Sequence, residues 1–116
     1  MNSRQTGNRA EQSALNYLES HGLRLLDRNF SCRMGEIDLV MDDQGTLVFV
    51  EVRYRSDPGR GSGAESITRS KIRKLTRTAE FYLMTHPERG SGDCRFDVVS
   101  MDQSVDWIRN AFTLDD

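Results

Sequence analysis

The chain has 116 residues, 36% of them hydrophobic and 29% charged, with two cysteines and a formal net charge of −2. That length suits one domain with a real core but not two. No stretch nears the roughly 18 apolar residues of a membrane span, and the opening MNSRQTGNRAEQ has no apolar signal-peptide segment. The expectation is a single domain over residues 1–116, of α/β or α+β class, with no membrane partner and a cytoplasmic location.

Residues 8–21, NRAEQSALNYLESH, place Ala10, Ala14, Tyr17, Leu18 and His21 at helical spacing, and Gly22 follows as a natural stop. LRLLDRNFSCR alternates weakly and suits an edge strand. EIDLVM and TLVFVEVRY are strand-like, and the DDQG between them reads as a hairpin turn. SDPGRGSGAES is a loop by composition, and it lacks the Gly-Lys-Ser/Thr ending of a phosphate-binding loop. From about Ser66 to Thr85 the pattern is helical, with Ile72, Leu75, Ala79, Tyr82 and Leu83 inward and Pro87 ending it. CRFDVVSM alternates as a strand. VDWIRNAF spaces Val105, Ile108, Ala111 and Phe112 as a short terminal helix would. Cys32 and Cys94 lie far apart with no metal-ligand spacing around them and are expected as reduced thiols. His21 and His86 fall at helix ends, where capping or exposure explains them.

Charge is unevenly spread. Between Arg53 and Arg77 stand eight basic residues (Arg53, Arg55, Arg60, Arg69, Lys71, Arg73, Lys74, Arg77) against Asp57 and Glu65, a balance of +6 that leaves −8 for the rest. Such segregation can draw a polyanion to one face of an otherwise acidic chain, or it can be a solvated helix face.

The hairpin carries the most specific signal. In an antiparallel ladder paired positions have a constant sum. A turn at Asp43-Gln44 or a loop at 42–45 gives 87, and a turn at Gln44-Gly45 gives 89. Every one of these sums is odd, so Ile37, Leu39, Met41, Val48, Val50 and Val52 share an apolar face. Glu36, Asp38, Glu51 and Arg53 then gather on the other. Neighbouring carboxylates repel and raise at least one pKa unless a cation intervenes. Spacing alone leaves two readings open: Asp38 and Glu51 share a hard divalent metal, or one of them forms an ordinary cross-strand ion pair with Arg53. Tyr54 flanks this place, either packed in the strand or available to stack on a base.

At this point the chain resembles a known group. GEIDLV, a short turn, then LVFVEVRYR matches the D…(D/E)-x-K pattern of the restriction-endonuclease-like superfamily, whose core runs helix–three strands–helix–strand. With GNRAEQSALNYLESHGLRLLDRNF, ITRSKIRKL and CRFDVV, the match extends from Gly7 to about Phe112 and is similar to the YraN family of small bacterial proteins, itself similar to archaeal Holliday-junction resolvases. The resemblance implies an α/β fold with a central mixed sheet flanked by helices. It implies Asp38 and Glu51 as metal-binding acids for Mg²⁺ or Mn²⁺, with Glu11 as a further acid near the metal. Without the resemblance Glu11 is an exposed helix residue. Glu36 is either adjacent support or solvent-facing.

The activity so implied is metal-dependent hydrolysis of phosphodiester bonds in DNA, branched or structured substrates included, and resolvases suggest a homodimer by analogy. One position departs from the pattern: Arg53 stands where the superfamily has lysine. Arginine stays protonated and cannot be a general base, though it can stabilise a phosphorane by bidentate hydrogen bonds. Lys71 or Lys74 could replace the missing lysine from the helix. Arg55, Arg60, Arg69, Arg73 and Arg77 would hold phosphate backbone without reading sequence. A DNA-binding module without turnover, and an adaptor meeting an acidic protein through the basic helix, are the competing expectations.

Overall fold

The computed structural model describes residues 3–54, 67–90, 92–101 and 104–112, with side chains from residue 9 onward. Helix α1 (Ser3–Ser20) leads into strands β1 (Arg24–Cys32), β2 (Gly35–Asp43) and β3 (Thr46–Tyr54). Helix α2 (Arg69–Thr85) and a 3-10 turn (Pro87–Arg89) follow, then β4 (Cys94–Met101) and β5 (Val105–Phe112). The expected order helix–three strands–helix–strand is thus present, with one strand more.

The five strands form one sheet in sequence order, antiparallel throughout except for the parallel β3–β4 pair. A parallel pair needs a crossover, and α2 supplies it. Each face of the sheet has its own core. Ala14, Leu15 and Leu18 of α1 pack with Leu39, Met41, Val48, Val50 and Val99 on one side. Leu75, Ala79 and Tyr82 of α2 pack with Ile37, Val40, Leu47, Phe49, Phe96 and Phe112 on the other. Both faces being covered explains why LVFV reads as an unbroken apolar run rather than an alternating one. No helix among the described residues is long and apolar enough to cross a membrane. Cys32 and Cys94 are free thiols.

Residues 105–112 are a strand, not the expected terminal helix. The reason lies in a bulge. Val98 pairs with Ile108 and Phe96 with Phe112, so β5 advances four residues while β4 advances two. Asn110 takes φ 52° inside this insertion, and its N–H is held at 2.9 Å by the buried Asp97 carboxylate. Before the insertion Val105 and Trp107 pack against the α1-side core, and at its end Ala111 and Phe112 pack with the α2-side core. Apolar residues at 105, 108, 111 and 112 then mimic helical spacing.

Two structural anchors sit away from the hairpin acids. The same Asp97 carboxylate accepts from Arg95 at 3.0 Å and from Trp107 Nε1 at 2.9 Å. Near the end of α2, Tyr82 donates its hydroxyl to Asp27 at 2.6 Å, and Arg89 adds a second donor to the same carboxylate. These donors, with Tyr82 foremost, hold the Asp27 carboxyl below its usual range, while burial and the bond to Asp27 push the Tyr82 hydroxyl up to about 12. His21 and His86 turn back on helix-end carbonyls, Tyr17 O at 2.8 Å and Tyr82 O at 3.0 Å, as capping groups do.

Candidate functional site

The β2–β3 hairpin closes on Gln44-Gly45, both with positive φ (51° and 97°), as a two-residue primed turn requires. Paired positions sum to 89, from Asp43↔Thr46 to Leu39↔Val50. In such a hairpin the closing pair is hydrogen-bonded and every second pair after it is too. Continued once more, the ladder would put the Val52 N–H on the carbonyl of Ile37. It does not continue. The Val52 N–H instead meets Asp38 Oδ2 at 2.8 Å.

The other neighbour of β2 is irregular at the same level. Strand β1 pairs with β2 at a sum of 67 from Asp27 to Cys32, yet Asn29, which that sum sets opposite Asp38, leaves the ladder and takes φ 57°. Asp38 therefore sits where regular pairing lapses on both sides. The phase of β2 slips there as well. Ile37 joins Val40 in the α2-side core instead of joining Leu39 and Met41. This corrects the expected six-residue apolar face: parity holds as far as Leu39 and fails beyond it.

The lapse brings carboxylates together. The side chains of Asp38 and Glu51 contact each other, and Glu11 of α1 is near enough for its charge to act on Asp38. Burial first, then the charge of Glu51, push the Asp38 carboxyl up to about 8, against the opposing effect of the Val52 N–H. Metal-free, Asp38 thus keeps a proton near neutral pH, which relieves its repulsion with Glu51. Glu11 is buried, at 7% exposure, rather than exposed as its bare sequence context suggested. It falls on the inward stripe 11, 14, 15, 18 of α1, and Arg28 of β1 compensates it with an Nε–Oε1 contact of 2.7 Å. The same guanidinium donates to Gln12 Oε1 at 2.7 Å, fastening the edge strand to the helix.

The cation beside Glu51 is Lys71, whose Nζ stands 3.7 Å from Oε2. Thr68 caps α2, accepting the Lys71 N–H at 3.1 Å, and so fixes the first helical turn that carries this lysine to the sheet. Lys71 is 45% exposed against 11% for Glu51, so the pair is open on the lysine's side. Arg53 is half-buried and has no carboxylate within 4 Å among the described residues; the ion pair expected for it belongs to Lys71 instead. Arg69, Arg73, Lys74 and Arg77 are exposed along α2. Arg55 and Arg60 lie outside the described residues. Glu36 faces solvent, and Tyr54 is 53% exposed rather than packed.

Two residues escaped the sequence reading. Arg28 gave no sign beyond being an arginine in an edge strand. The backbone N–H of Val52 could not be seen without the register. Among the described residues no group of three or more His, Cys, Asp or Glu side chains is arranged to hold a metal ion. Asp38 and Glu51 are a pair of carboxylates that could hold a metal, and Mg²⁺ and Mn²⁺ accept hard oxygen donors of that kind.

Comparison with known proteins gives a consistent result. The model of the Uncharacterised protein family UPF0102 matches residues 10–101. A UPF0102 protein of Alkalilimnicola ehrlichii is 50% identical over 110 residues, covering 94% of this chain and 87% of that one. One of Saccharophagus degradans is 47% identical over 113 residues, covering 97% and 96%. Among solved structures, Pyrococcus furiosus SfsA in complex with Ca²⁺ is similar at 17% identity with a TM-score of 0.33. It covers 93% of this chain, which spans only 62% of SfsA, and so distant a likeness carries no argument here.

Proposed function

The chain belongs to the Uncharacterised protein family UPF0102, and from its rim of acids and its basic helix we propose a nuclease-like protein that binds DNA and hydrolyses phosphodiester bonds with Mg²⁺ or Mn²⁺. The observation that carries this reading is the contact between Asp38 and Glu51. Two carboxylates pressed together beside a third, Glu11, lower the energy of the site only by keeping a proton or by taking a cation. A structural role would be better served by an apolar pair, because half-paired buried charge is costly.

Asp38 and Glu51 would hold the metal, with Asp38 oriented by the Val52 N–H. A bound hard ion would polarise the scissile phosphate and make its water more acidic. Lys71 then has a task. Its ammonium, 3.7 Å from Glu51, would donate to a phosphate oxygen as negative charge builds. Arg53 adds a permanent positive charge without proton transfer. Glu11, held by Arg28, adds negative potential near the metal. Arg69, Arg73 and Arg77, exposed every four residues on α2, would track the backbone and set the position of the strand.

The test is direct. Purified protein with Mg²⁺ or Mn²⁺ is expected to cut at least one member of a panel of single strands, duplexes, flaps and four-way junctions, and Asp38→Asn to abolish the cutting. An intact panel at high protein concentration would remove the enzymatic reading. The second reading, a binding module without turnover, is favoured by Arg53 in the lysine position. Salt-sensitive DNA binding that survives Asp38→Asn and drops in an Arg69/Arg73/Arg77 alanine variant, with no cleavage, would select it.

A further inference from the structure

We infer that Tyr54 is a base-stacking platform, and that the site therefore takes DNA with an unpaired nucleotide beside the phosphate it acts on. This rests on the reading of Asp38 and Glu51 as a phosphate-processing centre. Tyr54 ends β3 and is 53% exposed, one of two large apolar residues so exposed among the described ones. It belongs to neither core, although the preceding residue on its face, Val52, packs against the α1-side core. Strand propensity accounts for a tyrosine in β3, but not for one that contributes nothing to either core.

Its position gives the exposed ring a use. At about 3.3 Å per residue, Tyr54 lies roughly 10 Å along the strand from Glu51. Side chains alternate across β3, so Glu51, which meets Lys71 of α2, and Arg53 share the α2-facing side, whereas Tyr54 shares the α1-facing side with Val52. The rim of the sheet thus has two chemically different flanks. One is cationic and suits phosphate, and the other offers an aromatic face and suits a nucleobase.

A nucleotide laid across this rim would be split between the flanks, backbone toward α2 and base toward Tyr54. Paired DNA cannot be divided in this way. In a duplex the base faces are covered by stacking, and only their edges show in the grooves. A base free of its partner exposes a π-face that any aromatic side chain can cover, without regard to sequence. Flaps, gaps and single strands supply such bases; blunt duplex does not.

The experiment measures binding of fluorescein-labelled oligo-dT and of a blunt duplex of equal length. The proteins are the wild type, Tyr54→Ala and Tyr54→Phe, at one fixed low salt concentration with EDTA present. Wild type is expected to prefer the single strand. Tyr54→Ala should lose roughly 5- to 100-fold on the single strand while changing less than about twofold on the duplex, and Tyr54→Phe should keep the preference. A scan of abasic sites along the oligonucleotide should find a position that weakens wild type as much as Tyr54→Ala does, and that leaves Tyr54→Ala itself unaffected. Equal loss on both DNAs, or no loss on either, overturns the stacking role while leaving DNA binding intact. Absence of binding to every DNA by wild type overturns this inference and the nucleic-acid reading together.

Discussion

The ammonium of Lys71, at the start of α2, stands 3.7 Å from the Glu51 carboxylate in the middle of β3. Twenty residues separate them in sequence, and the capped first turn of α2 brings them together. The cation at Glu51 thus comes from the helix that crosses over the sheet, not from position 53 of the same strand.

Replacing Lys71 should therefore cost more in turnover than in binding. Lys71→Ala is expected to slow cleavage by roughly 100- to 1000-fold, the scale of losing one preorganised donor to a developing charge. If it meets a phosphate, the slope of log Kd against log salt should also fall by about one. Single-turnover cleavage and salt-dependent anisotropy measure the two effects separately.

The Asp38 carboxyl gives a pH signature. In the folded protein it is pushed up to about 8, above the ordinary carboxyl value of 3.8. Between those values the native state holds a proton that the unfolded chain has lost, so this group makes metal-free stability fall as pH rises from about 4 to 8. Asp38→Asn removes that slope. It is expected to exceed wild type by about 1–2 kcal/mol at pH 8.5, an advantage that shrinks toward pH 4. Urea unfolding at several pH values in EDTA reads this out.

Arg28 is expected to matter through Glu11. Arg28→Ala leaves a buried carboxylate without its partner and should destabilise the fold by about 2 kcal/mol. Adding Glu11→Gln should recover part of that loss, so the double variant will be less destabilised than the sum of the two singles. Denaturation midpoints of the four proteins close the cycle.

Tyr82 provides a control remote from the acids. Tyr82→Phe loses the hydroxyl that reaches Asp27, at the opposite end of α2 from Lys71, and should cost about 1 kcal/mol. Its Mn²⁺ binding should equal that of wild type, because nothing at the rim changes. Thermal unfolding and metal titration of the same sample check both halves.

Much of this was legible in the chain itself. The hairpin turn and its odd-sum register as far as Leu39 follow from alternation and from Gln44-Gly45, because side-chain period and turn length are local properties. The basic face of α2 was legible for the same reason. Three features were not. The slip at Asp38, which moves Ile37 to the other core, depends on the competition between a side-chain acceptor and a ladder carbonyl for one N–H. The last strand was hidden because its apolar residues 105, 108, 111 and 112 fall at helical spacing, while its pairing with β4 is set by tertiary structure. Glu11 was misjudged because a glutamate on a helix is presumed solvated. Its place on the 11, 14, 15, 18 stripe was the available clue, and only Arg28, on a different element, makes its burial affordable.

The most direct measurement is calorimetric titration of Mn²⁺ into wild type and Glu51→Gln near pH 7, in two buffers of different ionisation enthalpy. Wild type is expected to bind with release of about one proton, given up mainly by Asp38. Glu51→Gln should bind at least about tenfold more weakly, having lost one of two charged ligands. Equal heats from the two proteins would mean that these acids do not meet to hold a metal.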